Sequence, residues 1–432
     1  MHVRIDVPSE TGGAIVPEAL ELLKRELTED DAVKIAILNN REVSAALARL
    51  GVSSSELVQA GLLRNPVFSA SATLFDSGTE IEASVMQPFL DLFFLSARKR
   101  VAEAELEANR AQIANEIIRL AYDARRAFVR VHAAVRLLQV ERDVLRAAQA
   151  SFDLMSQLHR AGNVTDPRLT TEEIALARAK LGVAQAESAL LEAREPLNVL
   201  LGLWGDSVTW TLAGTLTEDP GASLDVEQVE TRAIAASLDL AESRAHTTAE
   251  ARRAGFTSWE AAFSTGDVGL AAKREVDGGD WGLGPALAVS VPLFDTGAAA
   301  RAGAHARVQA SLAHHVALAV EIRSAARRLR ARALSLGEQA AFIRTEELPT
   351  ASRLVRETLR NYNAMQIGVF DVLVVKEQEI AAQRSHVETL RDAVLARLDL
   401  DELLAGSFNQ ERVGAEPRAR RNATMALPAG GH

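Results

Sequence analysis

Residues 79–91 read Thr-Glu-Ile-Glu-Ala-Ser-Val-Met-Gln-Pro-Phe-Leu-Asp, and this stretch decides the fold. Ile81, Ala83 and Val85 alternate with polar residues, which is the two-residue period of a strand that has one apolar face. Pro88 follows at a position that favours the end of a strand. From about Leu95 the apolar residues recur with the period of a helix. The stretch therefore predicts a strand that leads into a long helix.

Four runs of the chain alternate in this way. They lie near residues 68–74, 80–85, 268–273 and 287–293, with turn sequences at 76–79 and 277–280. Each predicted strand is about 9–11 residues long, enough to cross a bilayer at a tilt. Alternation is also typical of a half-buried soluble sheet. However, ten of the nineteen aromatic residues lie in residues 66–95 and 256–294, and aromatic clusters at strand ends favour a membrane interface.

The chain contains one pattern twice. Residues 88–91 match residues 292–295, residues 200–202 match residues 404–406 at the same offset, and Gly162 matches Gly368 with a two-residue slip. We predict that each copy consists of a helix, two strands and a long helical hairpin. The predicted segments are an N-terminal extension (1–26), a first repeat (27–202), a linker (203–223), a second repeat (224–406) and a disordered tail (407–432).

The predicted long helices carry a heptad seam. Positions taken at alternating spacings of three and four from Ile117 to Met155 are apolar in eleven of twelve cases, and Glu141 is the exception. A helix from about residue 95 to 161 would be roughly 100 Å long. In the second copy, we expect Pro349 to interrupt or kink the helix. Periodicity alone also fits a soluble coiled-coil scaffold without a pore, and the alternating strands favour the channel.

Composition excludes several classes of function. A net charge of -10 argues against a nucleic-acid partner, and the absence of cysteine excludes disulfides and thiolate metal sites. No catalytic motif or phosphate loop is present, so we predict no enzyme activity, no cofactor and no metal site. His305, His314 and His315 are interpreted as surface residues. The N-terminus lacks the apolar core of a secretion signal, which by itself favours a cytoplasmic protein.

Over residues 27–406 the sequence resembles the TolC-like outer-membrane factors. The matching stretches are Leu27-Thr28 with Asp31-Ala32-Val33, and residues 60–66, 284–297 and 367–373. The resemblance implies a mainly α fold with a small β part, in which a long α-helical barrel continues a membrane β-barrel of four strands per protomer.

The same resemblance implies a function and partners. It implies a homotrimeric exit duct of a tripartite efflux system in the outer membrane of a Gram-negative-type bacterium, reaching into the periplasm. The implied partners are a periplasmic adaptor (membrane fusion) protein, an inner-membrane efflux transporter of the resistance-nodulation-division type, and outer-membrane lipid.

The resemblance also points to individual residues. Asp371 aligns with an aspartate that forms the periplasmic constriction in this family, and Asp166 is interpreted as its equivalent in the first copy. Gly162 and Gly368 are the expected tip turns, and Pro88 and Pro292 the expected strand–helix junctions. The alternative for both acids is that they cap the return helices. The family's usual second acid is Val374 here, which implies weaker cation selectivity.

Overall fold

A computed structural model of the protein describes residues 15–75, 78–214, 228–262, 266–275, 279–291, 293–294 and 296–410. The chain is mainly α-helical and has one four-stranded antiparallel sheet, which confirms the predicted fold class. It divides into two compact units, each built from both predicted repeats. The helical unit comprises residues 1–44, 116–237 and 322–432, and the sheet unit comprises residues 45–115 and 238–321.

The first half of the chain contributes five helices and two strands, followed by a short 3-10 turn. They are α1 (Pro17–Leu23), α2 (Glu29–Asn39), α3 (Arg41–Ala60), β1 (Val67–Phe75), β2 (Gly78–Pro88), α4 (Leu90–Arg160), α5 (Asp166–Leu201) and the 3-10 turn Gly205–Val208. Thr28 is the N-cap residue of α2, and its hydroxyl group accepts a hydrogen bond from the Asp31 amide at 3.1 Å. The Thr28 to Asp31 stretch that resembles the TolC-like factors is therefore a helix cap.

The second half repeats this order. It contains α6 (Val229–Ala236), α7 (Leu238–Ala262), β3 (Gly266–Glu275), β4 (Gly282–Val289), α8 (Ala298–Phe342), a π-helical turn (Ile343–Glu347), α9 (Leu348–Asn363) and α10 (Val369–Leu404). β4 is shorter than predicted, because the alternation continues to Leu293 while the strand ends at Val289. The predicted turn residues 76–77 and 277–278, linker residues 215–223 and the tail beyond residue 410 lie outside the described residues.

The sheet has the order β1-β2-β3-β4, so β1 and β4 are its edges. Partners in an antiparallel register point to the same face. Phe68, Val85, Leu270 and Pro285 therefore share one face, and the next row of partners, Ser69 with Ser84, Ala271 and Gly284, lies on the other.

The two faces differ in polarity. On the apolar face, the side chains of Phe68, Leu283 and Leu287 are 69%, 73% and 70% exposed. On the polar face, Lys273 Nζ lies 2.6 Å from Glu80 Oε1, and the Ser69 and Ser84 hydroxyl groups are 2.7 Å apart. The predicted alternation is confirmed, and the described part of this chain leaves the apolar face uncovered.

The heptad seam is the core of the helical unit. Six of its twelve positions on α4 are buried and the other six are half-buried. Ala124, Val131 and Met155 are each 0% exposed. The α4 seam packs with Ile35 of α2 and Leu197 of α5 in one apolar cluster. The corresponding seam of α8 is buried at Ile322 and Ala326. The predicted seams are therefore confirmed.

Glu141, the polar exception in the seam, has a specific environment. Its carboxylate forms an ion pair with Arg384 of α10. A Cβ atom on Gly182 of α5 would lie 2.8 Å from Glu141 Oε2, so the glycine lets the carboxylate lie against α5 in this position. The seam can therefore contain one charge because a glycine and an arginine face it.

Pro349 interrupts its helix as predicted. The π-helical turn Ile343–Glu347 lies directly before Leu348 and Pro349, whereas α4 is continuous over 71 residues. Proline has no amide hydrogen and its ring clashes with the preceding turn, so the backbone widens locally.

No described helix combines the length and the apolar character that spanning a membrane requires.

Candidate channel-forming site

The turn between α4 and α5 is closed by Gly162, as the sequence predicts for a hairpin tip. Gly162 has φ +77°, a left-handed conformation that glycine adopts at little cost. Its amide donates to the His159 carbonyl at 2.9 Å, and the Asn163 amide donates to the Leu158 carbonyl at 2.9 Å. These two bonds form a Schellman motif, which satisfies the last carbonyl groups of α4.

The second tip contains the same motif with a different residue. Met365 has φ +57°, its amide donates to the Tyr362 carbonyl at 2.9 Å, and the Gln366 amide donates to the Asn361 carbonyl at 3.0 Å. Met365, and not Gly368, is therefore the counterpart of Gly162. The left-handed conformation costs a non-glycine residue about 1 kcal/mol, and this Met side chain is 93% exposed.

Gly368 has another role. It is the N-cap residue of α10, as Thr165 is of α5. Asp371 lies three residues further on, and its Oδ2 accepts a hydrogen bond from the Gly368 amide at 3.0 Å. Asp371 is exposed and stabilises the start of α10. The capping interpretation of Asp371 is thereby confirmed, although the acid acts from inside the first turn and not from the N-cap.

Asp166 occupies a different position from Asp371. It is the first residue of α5, and its Oδ1 lies 2.6 Å from Nε2 of His159 across the turn. Counted from the N-cap residues, Asp371 corresponds to Arg168. The expectation that Asp166 is the equivalent acid is therefore wrong in register, because the two-residue slip inferred from the glycines does not exist in the structure.

Arg168 makes a contact that the sequence does not reveal. Its guanidinium carbon lies 3.4 Å from the ring centroid of Phe370, so α5 and α10 are joined near their tip ends. Such cation–π contacts contribute about 0.5–2 kcal/mol. Phe370 belongs to the matching stretch 367–373, but the pairing joins residues of different hairpins, so sequence periodicity gives no signal for it.

A cleft of about 1620 Å³ extends from this contact between α4, α5 and α10. Its surface combines alanines, such as Ala148 and Ala186, with charged side chains from all three helices. The ion pair of Glu141 with Arg384 crosses it. The two hairpins of the helical unit are therefore linked at intervals and are not packed along their whole length.

A buried charge cluster joins α4 and α10 near the base of the hairpins. Arg126 is 3% exposed, and its guanidinium lies 2.7 Å from Glu402, 3.2 Å from Asp399 and 2.9 Å from Asp123. Burial lowers the pKa of Arg126, but the charges and hydrogen bonds of Glu402 and Asp123 outweigh it and raise the pKa above its usual value. The cation is thus held permanently charged between carboxylates.

The junction between β2 and α4 lies where the sequence predicts it. Pro88 is the last residue of β2, and the Phe89 amide donates to the Gly266 carbonyl at 2.9 Å. Asp91, in the first turn of α4, is buried and pairs with Arg98 and with Arg64 Nε at 3.2 Å. A carboxylate at a helix N-terminus is favourable. Pro292, the predicted second junction, lies outside the described residues.

The described part of the chain contains no group of three or more acidic, histidine or cysteine side chains that could hold a metal ion. His315 Nδ1 lies 3.2 Å from the Ser243 hydroxyl group, and His305 and His314 are exposed. These histidines therefore form no centre with each other.

A family model matches part of the chain. The model of the outer membrane efflux protein family matches residues 32–203, from α2 through the first hairpin. Over this stretch the chain is similar to outer membrane efflux proteins. The resemblance to TolC-like factors is thereby confirmed, and the family consists of transport proteins.

Solved channel structures share the fold of this chain over most of its length. A structure of CusC, described in terms of folding and transmembrane channel formation, has a TM-score of 0.71 at 17% identity and covers 88% of this chain and 93% of its own. The outer membrane protein VceC of Vibrio cholerae has a TM-score of 0.71 at 17% identity and covers 88% of this chain and 97% of its own. The MtrE outer membrane channel of Neisseria gonorrhoeae has a TM-score of 0.69 at 15% identity and covers 88% of this chain and 89% of its own. No curated protein sequence matches the chain.

Proposed function

We propose that this efflux protein is one protomer of a homotrimeric exit duct in the outer membrane of a Gram-negative-type bacterium. The observation that carries the proposal is the sheet, which has one exposed apolar face, one polar face and two unpaired edges, β1 and β4. Unpaired backbone groups cannot face lipid, so an isolated sheet of this kind is unstable in a membrane. Joining β4 of one copy to β1 of the next continues both faces, and three copies close twelve strands.

Mass measurement in mild detergent tests the assembly. The expected species is a trimer that conducts ions when it is reconstituted into planar bilayers. A stable monomer that still conducts would refute closure by several copies. The alternative, a soluble coiled-coil scaffold, predicts instead a monodisperse protein without detergent and no conductance.

The proposed duct receives its cargo from an inner-membrane transporter of the resistance-nodulation-division type through a periplasmic adaptor. The family match and the two long helical hairpins of the helical unit support this role. In a bacterial strain that lacks its own duct, the protein should restore export only when the cognate adaptor and transporter are also expressed. Export by the duct alone would contradict a tripartite mechanism.

The gate of the proposed duct is the ring of three Asp371 side chains that a trimer would gather at the α9–α10 tips. Two observations support it: Asp371 is exposed, and it lies within one turn of the hairpin end. Like charges around a narrow mouth attract cations. The Asp371→Asn variant removes the charge but keeps an oxygen that can accept the Gly368 amide hydrogen bond, so trimer stability should change little.

The measurement is the single-channel reversal potential in a salt gradient. The wild type should be cation-selective, Asp371→Asn should lose most of that selectivity, and Glu377→Gln, a change of one exposed charge further along α10, should lose less. Identical reversal potentials for the wild type and Asp371→Asn would show that Asp371 caps the helix and has no role in ion selectivity.

A further inference from the structure

The end of the sheet from which the helices continue is surrounded by exposed apolar side chains. One lies at each junction: Leu62 before β1, Phe93 after β2, Trp259 before β3 and Phe294 after β4, with exposed fractions of 53%, 71%, 59% and 100%. We call these four residues the apolar collar. All four strands contribute to it, so the collar is a property of this end of the sheet and not of one loop.

A second tier of basic residues follows on the helices. Lys99 and Arg100 on α4, Arg252 on α7 and Arg301 on α8 are exposed. Each lies six or seven residues from its collar residue, and on α4 and α7, where the collar residue is itself helical, this is about 10 Å along the helix. Arg252 Nη1 donates to the Arg100 backbone carbonyl at 2.5 Å, so the guanidinium of Arg252 on α7 lies against the part of α4 that carries Lys99 and Arg100.

The charge of this end is opposite to that of the whole chain. Residues 61–66, 90–101, 252–262 and 293–302 together hold seven Arg or Lys and three Asp or Glu, although the protein carries a net charge of -10. The segments around the strand turns at the far end, 76–82 and 273–280, hold six acidic and two basic residues. The two ends of the sheet therefore carry opposite charge.

An apolar tier followed by a basic tier matches the order of groups in a bilayer leaflet, where the hydrocarbon edge is followed by the phosphate layer. Aromatic and large apolar side chains favour the first region, and Lys and Arg bind anionic headgroups in the second. The polar layer of a leaflet is several ångströms thick, so side chains that start about 10 Å from the collar can reach back to the phosphates.

We propose that the basic tier binds the phosphate groups of anionic phospholipids in the leaflet that faces the periplasm. The proposal rests on the proposed function, because it requires the apolar face of the sheet to lie in the membrane. It adds the class of lipid that is bound and the residues that bind it. Lys99, Arg100 and Arg252 form the centre of the site.

The test compares two lipids and two triple variants. Delipidated full-length trimer in detergent is titrated with phosphatidylglycerol or with phosphatidylcholine, and bound lipid is counted by native mass spectrometry. The first variant combines Lys99→Gln, Arg100→Gln and Arg252→Gln. The control combines Arg142→Gln, Arg146→Gln and Arg160→Gln, which removes three exposed charges from α4 within the helical unit.

Each basic group near an anionic surface contributes about fivefold in affinity, so the first triple variant should lose on the order of 100-fold for phosphatidylglycerol. The control should bind like the wild type, and phosphatidylcholine binding should not change in any protein. Inorganic phosphate should not compete, since it lacks the acyl chains that the collar contacts. If the triple variant does not assemble, the single variants carry the test, each with about a fivefold loss.

Equal affinity of the wild type for the two lipids would overturn the proposal, and so would an unchanged preference in the first triple variant. Competition by millimolar phosphate would also overturn it, because it would show that the basic tier binds anions in general and not lipid in particular. A conducting trimer without lipid preference would overturn this inference alone, whereas failure to form a conducting trimer would overturn the proposed function.

Discussion

Adjacent residues at the centre of β3 provide the sharpest test of which side of the sheet meets lipid. Leu270 is 56% exposed and pairs with Val85 and Pro285 on the apolar face, whereas Ala271 pairs with Ser84 and Gly284 on the other. Arginine on the lipid face costs about 2–4 kcal/mol near the bilayer midplane. A trimer contains the substitution three times, so Leu270→Arg should cost assembly about 6–12 kcal/mol, comparable with the whole stability of a domain.

Ala271→Arg introduces the same charge one residue further on, where it faces the interior of the proposed barrel and avoids hydrocarbon. Membrane assembly can be followed as the trimer band in unheated denaturing gels of outer-membrane fractions. We expect no trimer for Leu270→Arg and a substantial band for Ala271→Arg. Equal assembly of the two variants would show that neither face meets lipid, and the reverse order would show that the sheet is turned inside out.

Three further predictions concern close packing, buried charge and pH. A Cβ atom on Gly269 would lie 1.9 Å from the backbone oxygen of the opposite strand, whereas one on Gly284 would have no neighbour within 4 Å. Gly269→Ala should therefore reduce trimer yield and Gly284→Ala should not; equal yields would contradict the close strand approach. Arg126→Met should destabilise the helical unit by about 3–5 kcal/mol in denaturant unfolding, because Glu402 stays buried without its cation. Adding Glu402→Leu should recover part of this loss, and no recovery would show that Arg126 and Glu402 are not coupled. Burial lowers the pKa of His132 below its ordinary 6.5. On acidification the unfolded chain therefore takes up a proton before the folded chain does, and the free energy of unfolding falls as the pH drops below 6.5. Between pH 7.5 and 5.5 the melting temperature of His132→Gln should fall less than that of the wild type, and an equal fall would exclude His132 as a cause of the pH dependence.

Strong periodicity made most of the architecture predictable. The alternation in residues 80–85 reports two sheet faces of different polarity, and the seam from Ile117 to Met155 reports the packed side of a helix. Both patterns extend over several turns or residue pairs, so each indicates the type of its element without knowledge of the tertiary packing. The predicted end of β4 is wrong for a different reason. Val291 and Leu293 continue the alternation, but they lie beyond Val289, the last residue of the strand. Val289 pairs with Gly266, the first residue of β3, and alternation within one strand does not report where its neighbour begins.

The site was less predictable because its details depend on backbone conformation. Glycine is the usual residue in a left-handed helix terminus, so the sequence predicts Gly368 as the partner of Gly162. The protein instead places Met365 in that conformation and uses Gly368 as a cap. This one exception shifted the inferred register of the tip and misplaced Asp166. The contact of Arg168 with Phe370 depends on how two hairpins lie together, which no local pattern encodes.

The sheet order has a consequence for how the chain folds. β1 with β2, and β3 with β4, are local hairpins that can form within microseconds. Pairing β2 with β3 joins residues as distant as Glu80 and Glu275, and all of α4 and α5 lies between them. During synthesis, the β2 edge must therefore wait until the second half of the chain is made, with its backbone groups unpaired. That interval is when the chain is most prone to aggregate, and loop closure between β2 and β3 is the step expected to set the refolding rate.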